Sequence, residues 1–156
     1  MDQTEKNILS TIYSCQIQGI DAFETIKKKC MFSENLINSK IDELIKNQLV
    51  NEDKNTLTDQ GRRSLTVVLA GGVFDIIHPG HIHTLNAAKG LGDVLVVVVA
   101  TDNTAVKMKK RRPLHSQEQR QELVNSLSMV DLCLIGQEDD IFKTVNHVKP
   151  QIIALG

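Results

Sequence analysis

Residues 71–81, GGVFDIIHPGH, bring two glycines, an aspartate and two histidines into one short stretch. His78 and His81 lie three positions apart, so both can face one pocket from the start of a helix. Imidazoles can donate hydrogen bonds to phosphate oxygens and so stabilise the charge that grows when a phosphoryl centre is attacked. The spacing therefore indicates chemistry at phosphorus in which the attacking oxygen belongs to a substrate and the protein supplies no nucleophile.

The residues around the two histidines suit an anion site. Gly71 and Gly72 allow a sharp turn of the backbone and leave its N–H groups open to an anion. Pro79 and Gly80 predict the first turn of a helix, whose N-terminus would point at the same anion. Asp75 is expected at the strand-to-helix turn, where it would hold backbone groups or a metal-bound water.

The elements that must position this motif alternate between strands and helices. The apolar runs LTVVLAGG, DVLVVVVATD, VDLCLIG and QIIALG are typical of strands buried on both faces. Helices are predicted between them, and one opens with a capping box formed by Ser116 and Gln119. This alternation is typical of an α/β domain with a parallel sheet and helices on both faces. Ligands bind beyond the carboxyl ends of such strands, where the histidine motif, ATDNTAVKMKK and GQEDD all lie.

A basic run, KMKKRR at residues 107–112, follows the second predicted strand. Beside a phosphate pocket, Lys107 and Lys109 would neutralise a triphosphate. Lys110, Arg111 and Arg112 are interpreted as surface residues. A solvated loop or a nucleic-acid contact is the alternative for the whole run.

Residues 1–64 predict a small winged helix-turn-helix domain. Three helices are indicated by apolar residues at helical spacing, with Gly19 as a stop and Asp21 and Ser33 as N-caps. A short β-ribbon follows, and LTDQGRR resembles the wing of many small winged-helix domains. In such a domain the third helix would contact DNA through Asn35, Asn38, Ser39 and Lys46.

The charge of residues 1–64 argues for caution about DNA. This segment carries nine Lys or Arg and ten Asp or Glu, so it offers DNA phosphates no excess of positive charge. A role in dimerisation or docking is the alternative.

The composition of the chain excludes several broad classes. Its 156 residues are 41% hydrophobic and 24% charged, which is typical of a folded protein rather than a disordered one. The net charge of -1 gives no general affinity for nucleic acids or membranes, and the sequence shows neither a membrane span nor a signal peptide. Cys15, Cys30 and Cys133 are too few and too far apart for a zinc or disulfide framework, which predicts reduced thiols in a cytoplasmic protein.

The chain from about residue 66 onward resembles the HxGH nucleotidyltransferase superfamily, in its cytidylyltransferase-like branch. The likeness starts at GGVFDIIHPGH and continues through LGDVLVVVVATD, KMKKRRPLHSQEQRQELVNSL, VDLCLIGQEDDIF and VKPQIIALG. Within that branch the chain is most similar to archaeal-type FAD synthases, which join an AMP moiety to FMN. The resemblance implies a Rossmann-like nucleotidyltransferase domain over residues 65–156 and says nothing about residues 1–64.

The family reaction is the attack of a substrate phosphate on the α-phosphorus of a nucleoside triphosphate, with Mg2+ and release of pyrophosphate. No side chain is expected to ligate the metal directly. ATP and FMN are the implied substrates, with CTP and an alcohol phosphate such as glycerol 3-phosphate as the alternative pair, and a homodimer is a further expectation. The resemblance assigns catalysis to His78, His81 and Lys107, nucleotide binding to Gly72, Val73, Phe74, Lys109 and Arg120, and the acceptor side to Asp75 and Asp102.

Two departures from the family pattern matter. Val73 stands where the family usually has threonine or serine, so one hydroxyl is lost while the backbone amide remains. Relatives continue after the segment IIALG with residues that close over the triphosphate and help to recognise the base, so the domain is expected to be incomplete at its C-terminal end. A function of another class is a DNA-binding regulator whose nucleotidyltransferase-like domain senses a nucleotide or a flavin.

Overall fold

The computed structural model describes residues 1–137 and 140–155. The chain forms two compact units, Met1–Leu65 and Thr66–Gly156, so the division lies one residue beyond the predicted boundary. Glu138 and Asp139 of the GQEDD segment, and Gly156 at the end of the predicted QIIALG strand, lie outside the described residues. In the described part of the chain, no helix is long and apolar enough to cross a membrane.

The first unit is helical. Its caps were predicted correctly: Asp21 and Ser33 accept backbone N–H groups at helix starts, and Gly19 ends the first helix with a φ of 71°. Apolar residues on the inner faces of the first three helices, among them Ile12, Ile26 and Ile37, are fully buried. The helices are α1 (Gln3–Gln18), α2 (Ala22–Cys30), α3 (Glu34–Lys46) and α4 (Asp59–Arg63).

The predicted β-ribbon is reduced to one antiparallel bridge between Val50 and Leu57. The wing-like segment that follows is helical instead, because Thr58 caps a single turn and its hydroxyl accepts the N–H of Gly61 at 2.9 Å. Three helices followed by an antiparallel bridge match the order of elements that the sequence predicts. The winged helix-turn-helix identity of this unit stays a prediction.

The second unit is an α/β domain, as predicted. Its strands form one parallel sheet in the order β3-β2-β1-β4, with Ala70 of β1 aligned with Val97 of β2 and Ala154 of β4. The chain thus builds the sheet away from β1 in one direction and then returns to its other side. The elements are β1 (Val67–Gly72), α5 (Pro79–Lys89), β2 (Val94–Val99), α6 (Asp102–Lys109), α7 (Gln117–Asn125), β3 (Leu132–Ile135), α8 (Ile141–Val148) and β4 (Ile152–Ala154).

Continuous apolar strands suit this sheet because both of its faces are covered. Val68 and Leu95 lie side by side on the face that packs against Leu85 of α5 and Val124 of α7. Alternate residues on the opposite face are buried as well, including Val96, which is fully inaccessible. The sheet therefore holds the ends of its central strands rigidly.

One local prediction in this unit was wrong. Gly71 and Gly72 are the last residues of β1, aligned with Val98 and Val99, and do not form the turn themselves. The left-handed conformation falls on Phe74, whose φ is 53°. The segment after β2 is helix α6, because the Thr101 hydroxyl caps it by accepting the N–H of Thr104.

Gly92→Ala tests how closely the start of β2 is held. A Cβ at this position would lie 2.6 Å from the carbonyl oxygen of Thr66, so we expect a loss of about 1–3 kcal/mol in the free energy of unfolding. Gly71→Ala is the matched control, since its Cβ would make an ordinary contact of 3.6 Å with the Val98 carbonyl. Equal denaturant midpoints for the two variants would contradict the close approach.

Candidate active site

The two motif histidines close the N-terminus of α5. His78 is the N-cap, and its Nδ1 accepts the backbone N–H of Gly80 at 3.1 Å. The Nδ1 atom of His81 reaches back and accepts the backbone N–H of His78 at 3.3 Å. The imidazoles thus form a reciprocal capping box, a task usually performed by shorter hydroxyl, carboxylate or amide side chains.

This capping fixes the orientation and the tautomer of both rings. The rings stack with centroids 3.9 Å apart and an angle of 27° between their planes. Because each Nδ1 accepts a hydrogen bond, a neutral ring keeps its proton on Nε2. Burial lowers the pKa of His81, and the neighbouring His78 and Lys109 lower it further, which favours the neutral ring. His78 and His81 therefore offer two parallel Nε2–H donors.

Small residues make this arrangement possible. A Cβ on Gly80 would lie 2.8 Å from the Cε1 atom of His78, so any other residue would push the capping ring aside. A Cβ on Gly72 would lie 2.8 Å from the ring of Phe74. That ring is buried, and its centroid lies 5.3 Å from that of His81, so Phe74 supports the second histidine from behind.

Both histidines line a cavity of about 520 Å³ in the second unit. One wall is the end of β1 and the turn after it, including Gly72, Val73, Phe74 and Asp75. The other wall is the end of α6 and the segment after it. Its lining residues are Met108, Lys109, Arg111 and Pro113.

The cavity is suited to an anion. Lys109 and Arg111 are permanent cations, and Asp75 is the one carboxylate among the described lining residues. The start of α5 adds the positive end of a helix dipole. Phosphate groups fit this combination of cations, N–H donors and helix N-terminus.

Asp75 acts as predicted in one respect, since it holds backbone groups. Its Oδ2 accepts the N–H of Leu114 at 2.9 Å, and its Oδ1 accepts the N–H of His115 at 3.1 Å. Burial raises the pKa of Asp75, but these two hydrogen bonds and the nearby Arg111 outweigh it and bring the pKa below its ordinary value. The predicted position of Asp75 on the acceptor side is untested by these contacts.

Arg120, which is predicted to bind the nucleotide, lies in the interior of the domain. Its side chain is completely buried and donates to the carbonyl oxygens of Val73 at 2.9 Å, Ala100 at 2.6 Å and His115 at 3.1 Å. Its remaining terminal nitrogen lies 2.8 Å from Oδ1 of Asp102. The guanidinium therefore joins the ends of β1 and β2 to the segment before α7, and Asp102 serves as its counterion.

Lys107 has a predicted catalytic role that stays a prediction. It is exposed on α6, and it is absent from the described residues that line the cavity, whereas Lys109 is among them. Arg111, interpreted from the sequence as a surface residue, does line the cavity. Helical geometry explains the difference, because residues two positions apart on α6 point in different directions.

A second cavity, of about 550 Å³, adjoins the first. The two share Gly71, Gly72 and Met108, so they meet at the carboxyl end of β1. The second cavity is more apolar and includes Ile153 of β4 and Ile141 of α8. This side-by-side arrangement suits a ligand, or a pair of ligands, with a charged part and an apolar part.

A pH titration of His81 tests whether its ring is neutral and accepts a hydrogen bond at Nδ1. Because its pKa is lowered, we expect NMR to show a midpoint below the ordinary value of about 6.5. The unfolded chain then takes up the proton first, so the free energy of unfolding should fall as the pH drops below that value. The titration midpoint of His81 in denatured protein is the reference value. A midpoint in folded protein above this reference would contradict the neutral, accepting ring.

Arg120→Met tests the buried guanidinium. The change leaves three carbonyl oxygens and the Asp102 carboxylate without their donor, so we expect a loss of about 3–5 kcal/mol in the free energy of unfolding. Arg112→Met removes an exposed arginine of the same unit and should change stability little. Similar denaturation curves for the two variants would show that Arg120 does not hold the strand ends.

Comparison with known proteins agrees with this geometry. The chain is 55% identical over 89 residues to an FAD synthase of Picrophilus torridus, covering 57% of this chain and 63% of the relative. It is 49% identical over 92 residues to an FAD synthase of Methanosarcina barkeri, covering 59% of this chain and 65% of the relative. The chain thus spans less than two thirds of the length of these curated relatives.

A solved structure resembles part of this chain, and a family model matches most of its second unit. The structure, titled as the lipopolysaccharide core biosynthesis protein from Thermoplasma volcanium, superposes with a TM-score of 0.55 at 48% identity, covering 57% of this chain and 72% of that one. The family model described as Cytidylyltransferase-like matches residues 69–156, more than half of the chain. This chain belongs to the cytidylyltransferase-like family.

Proposed function

We propose that this protein is a nucleotidyltransferase that joins the AMP moiety of ATP to the phosphate of FMN, giving FAD and pyrophosphate. The observation that carries the proposal is the stacked pair His78 and His81, which lines one cavity together with Lys109 and Arg111. The name FAD synthase borne by several archaeal relatives, at about half identity, supports the choice of FMN and ATP.

The reaction needs no protein nucleophile. A phosphate oxygen of FMN attacks the α-phosphorus of ATP, a new P–O bond forms, and the bond to the pyrophosphate oxygen breaks. Negative charge grows on the oxygens around the α-phosphorus and on the leaving group. The Nε2–H groups of His78 and His81 would donate to these oxygens, and Lys109 with Arg111 would stabilise the pyrophosphate.

The two adjoining cavities support a reaction with two substrates. The first supplies cations and N–H donors for the phosphates, and the second supplies apolar surface for a planar ring. Because they share Gly71 and Gly72, a ring in one and a phosphate chain in the other would meet beside the histidines. FMN and ATP each carry both kinds of group.

Magnesium fits this site only as a companion of the nucleotide. In the described part of the chain, no group of three or more His, Cys, Asp or Glu side chains could hold a metal ion. Both carboxylate oxygens of Asp75 already accept backbone N–H groups. Mg2+ commonly binds substrate phosphates and water, so the triphosphate itself would carry the ion, which would supply charge neutralisation.

DNA binding by the first unit has weaker support. The predicted contact residues Asn35, Ser39 and Lys46 are exposed on α3, and Asn38 is half-buried. The same helix carries the acidic residues Glu34, Asp42 and Glu43, which would repel phosphates. A regulator that binds DNA, and a cytidylyltransferase acting on an alcohol phosphate, are therefore kept as outcomes of the experiment.

The experiment measures pyrophosphate release from ATP and from CTP, each with FMN and with glycerol 3-phosphate, in the presence of Mg2+ or Mn2+. We expect release with ATP and FMN, accompanied by FAD identified by mass. Release only with CTP and glycerol 3-phosphate would replace the proposed substrates. Absence of release with every pair, together with specific DNA binding, would favour the regulator.

Histidine variants test the catalytic assignment. We expect His81→Ala and His78→Asn to lower kcat by about 10²–10³-fold, since each removes one donor to the reacting phosphate. Asn keeps an oxygen that can cap α5, which separates the loss of catalysis from the loss of the cap. His83→Ala, on the exposed side of the same helix, is the matched control. Near-normal turnover in both active-site variants would refute the assignment.

A further inference from the structure

The walls of the first cavity come from segments that are distant in sequence, and polar side chains join them. The turn after β1 forms one wall. The other is formed largely by residues 109–115, KKRRPLH, here termed the basic strap. Lys109 ends α6 at the start of the strap, and Ser116 caps α7 immediately after it. The strap therefore crosses from one helix to the next without regular structure of its own.

Two side chains fasten the strap to the turn: the buried Arg120, which donates to Val73 and His115, and Asp75, which lines the cavity itself. Its two carboxylate oxygens accept the N–H groups of Leu114 and His115, at 2.9 and 3.1 Å. The ring Nδ1 of His115 lies 3.1 Å from the backbone oxygen of Asp75, which adds a contact at the same place. The Asp75 side chain is only 12% exposed, so little of it is left for a substrate.

Arg111 lies near the middle of the strap, and the Asp75 carboxylate attracts its guanidinium. Its Nη1 lies 3.7 Å from Oδ2 of Asp75, within the range of charge attraction but too long for a hydrogen bond. The arginine side chain is 65% exposed and lines the cavity. It can therefore bind an anion in the cavity while Asp75 limits where it points.

We propose that Asp75 is a positioning residue: its carboxylate holds the basic strap across the cavity so that Arg111 meets the phosphates. The proposal rests on the proposed function only in taking a phosphate chain as the ligand. It differs from an acceptor-side role, in which the carboxylate itself would contact the second substrate.

The test is a double-mutant cycle on the affinity for pyrophosphate, measured by calorimetry with Mg2+ present. We expect Asp75→Asn and Arg111→Ala each to weaken binding by about tenfold, the effect of losing one charge-assisted contact. The double variant should be little weaker than either single one, because both changes remove the same positioned arginine. Glu118→Gln on α7 and Lys143→Ala on α8, which change exposed charges outside the strap, should bind as the wild type does.

Hydrogen exchange gives a second measurement, in which the wild-type protein alone can overturn the proposal. In the wild type, Asp75 accepts hydrogen bonds from the amides of Leu114 and His115. These two amides should therefore exchange at least tenfold more slowly than the amide of Arg112, to which Asp75 gives no acceptor. In Asp75→Asn the protection of one of these two amides should be lost, because the side-chain NH2 of asparagine faces one N–H group while its oxygen can still accept the other. Equal exchange of all three amides in the wild type would overturn the proposal.

The outcomes separate this proposal from the proposed function. If Asp75→Asn raises the KM for FMN while pyrophosphate affinity stays at the wild-type value, the carboxylate contacts the acceptor and the positioning role is overturned. Fully multiplicative losses in the double variant would overturn it as well. If no substrate pair reacts but the cycle shows shared losses, the FAD synthase assignment fails and the positioning role stands.

Discussion

The first turn of α5 is the constraint on which the rest of the site depends. A helix start leaves backbone N–H groups without partners, and here two imidazole Nδ1 atoms accept two of them. The same hydrogen bonds stack the rings, fix their tautomer and direct their Nε2–H groups away from the helix. Helix capping and the presentation of two phosphate donors are thus one arrangement, so neither ring can turn without loosening the start of α5.

The parallel sheet and a few buried polar contacts hold this turn in place. Buried strands fix the end of β1, and Arg120 ties it to the end of β2 through the carbonyl oxygens of Val73 and Ala100. Asp75 then joins the turn to the basic strap on the far wall. The cavity is therefore formed before a ligand arrives, and catalysis of the proposed reaction comes from positioned donors and cations rather than from a protein nucleophile.

The sequence predicts well what local patterns encode. The apolar strands, the helix caps at Ser33 and Ser116, and the pairing of His78 with His81 all depend on neighbours in the chain. Arg120 could not be assigned in this way, because its partner oxygens lie 47 and 20 positions away and its burial follows from packing of the whole domain. Thr101 is a usable signal for the start of α6, since its hydroxyl caps the helix. Which lysine of that helix reaches the cavity depends on how α6 packs, so the basic run alone did not separate Lys107 from Lys109.

The central claim is that both imidazoles accept hydrogen bonds at Nδ1 and present Nε2–H groups to the reacting phosphates. Long-range proton–nitrogen NMR spectra of labelled protein test it most directly, recorded near neutral pH with and without the Mg2+ complex of a non-hydrolysable ATP analogue. The structure predicts the Nε2–H tautomer for both rings and a shift of both Nε2 resonances when the analogue binds. Protons on Nδ1 in the free protein, or two rings that do not respond to the nucleotide, would contradict the account.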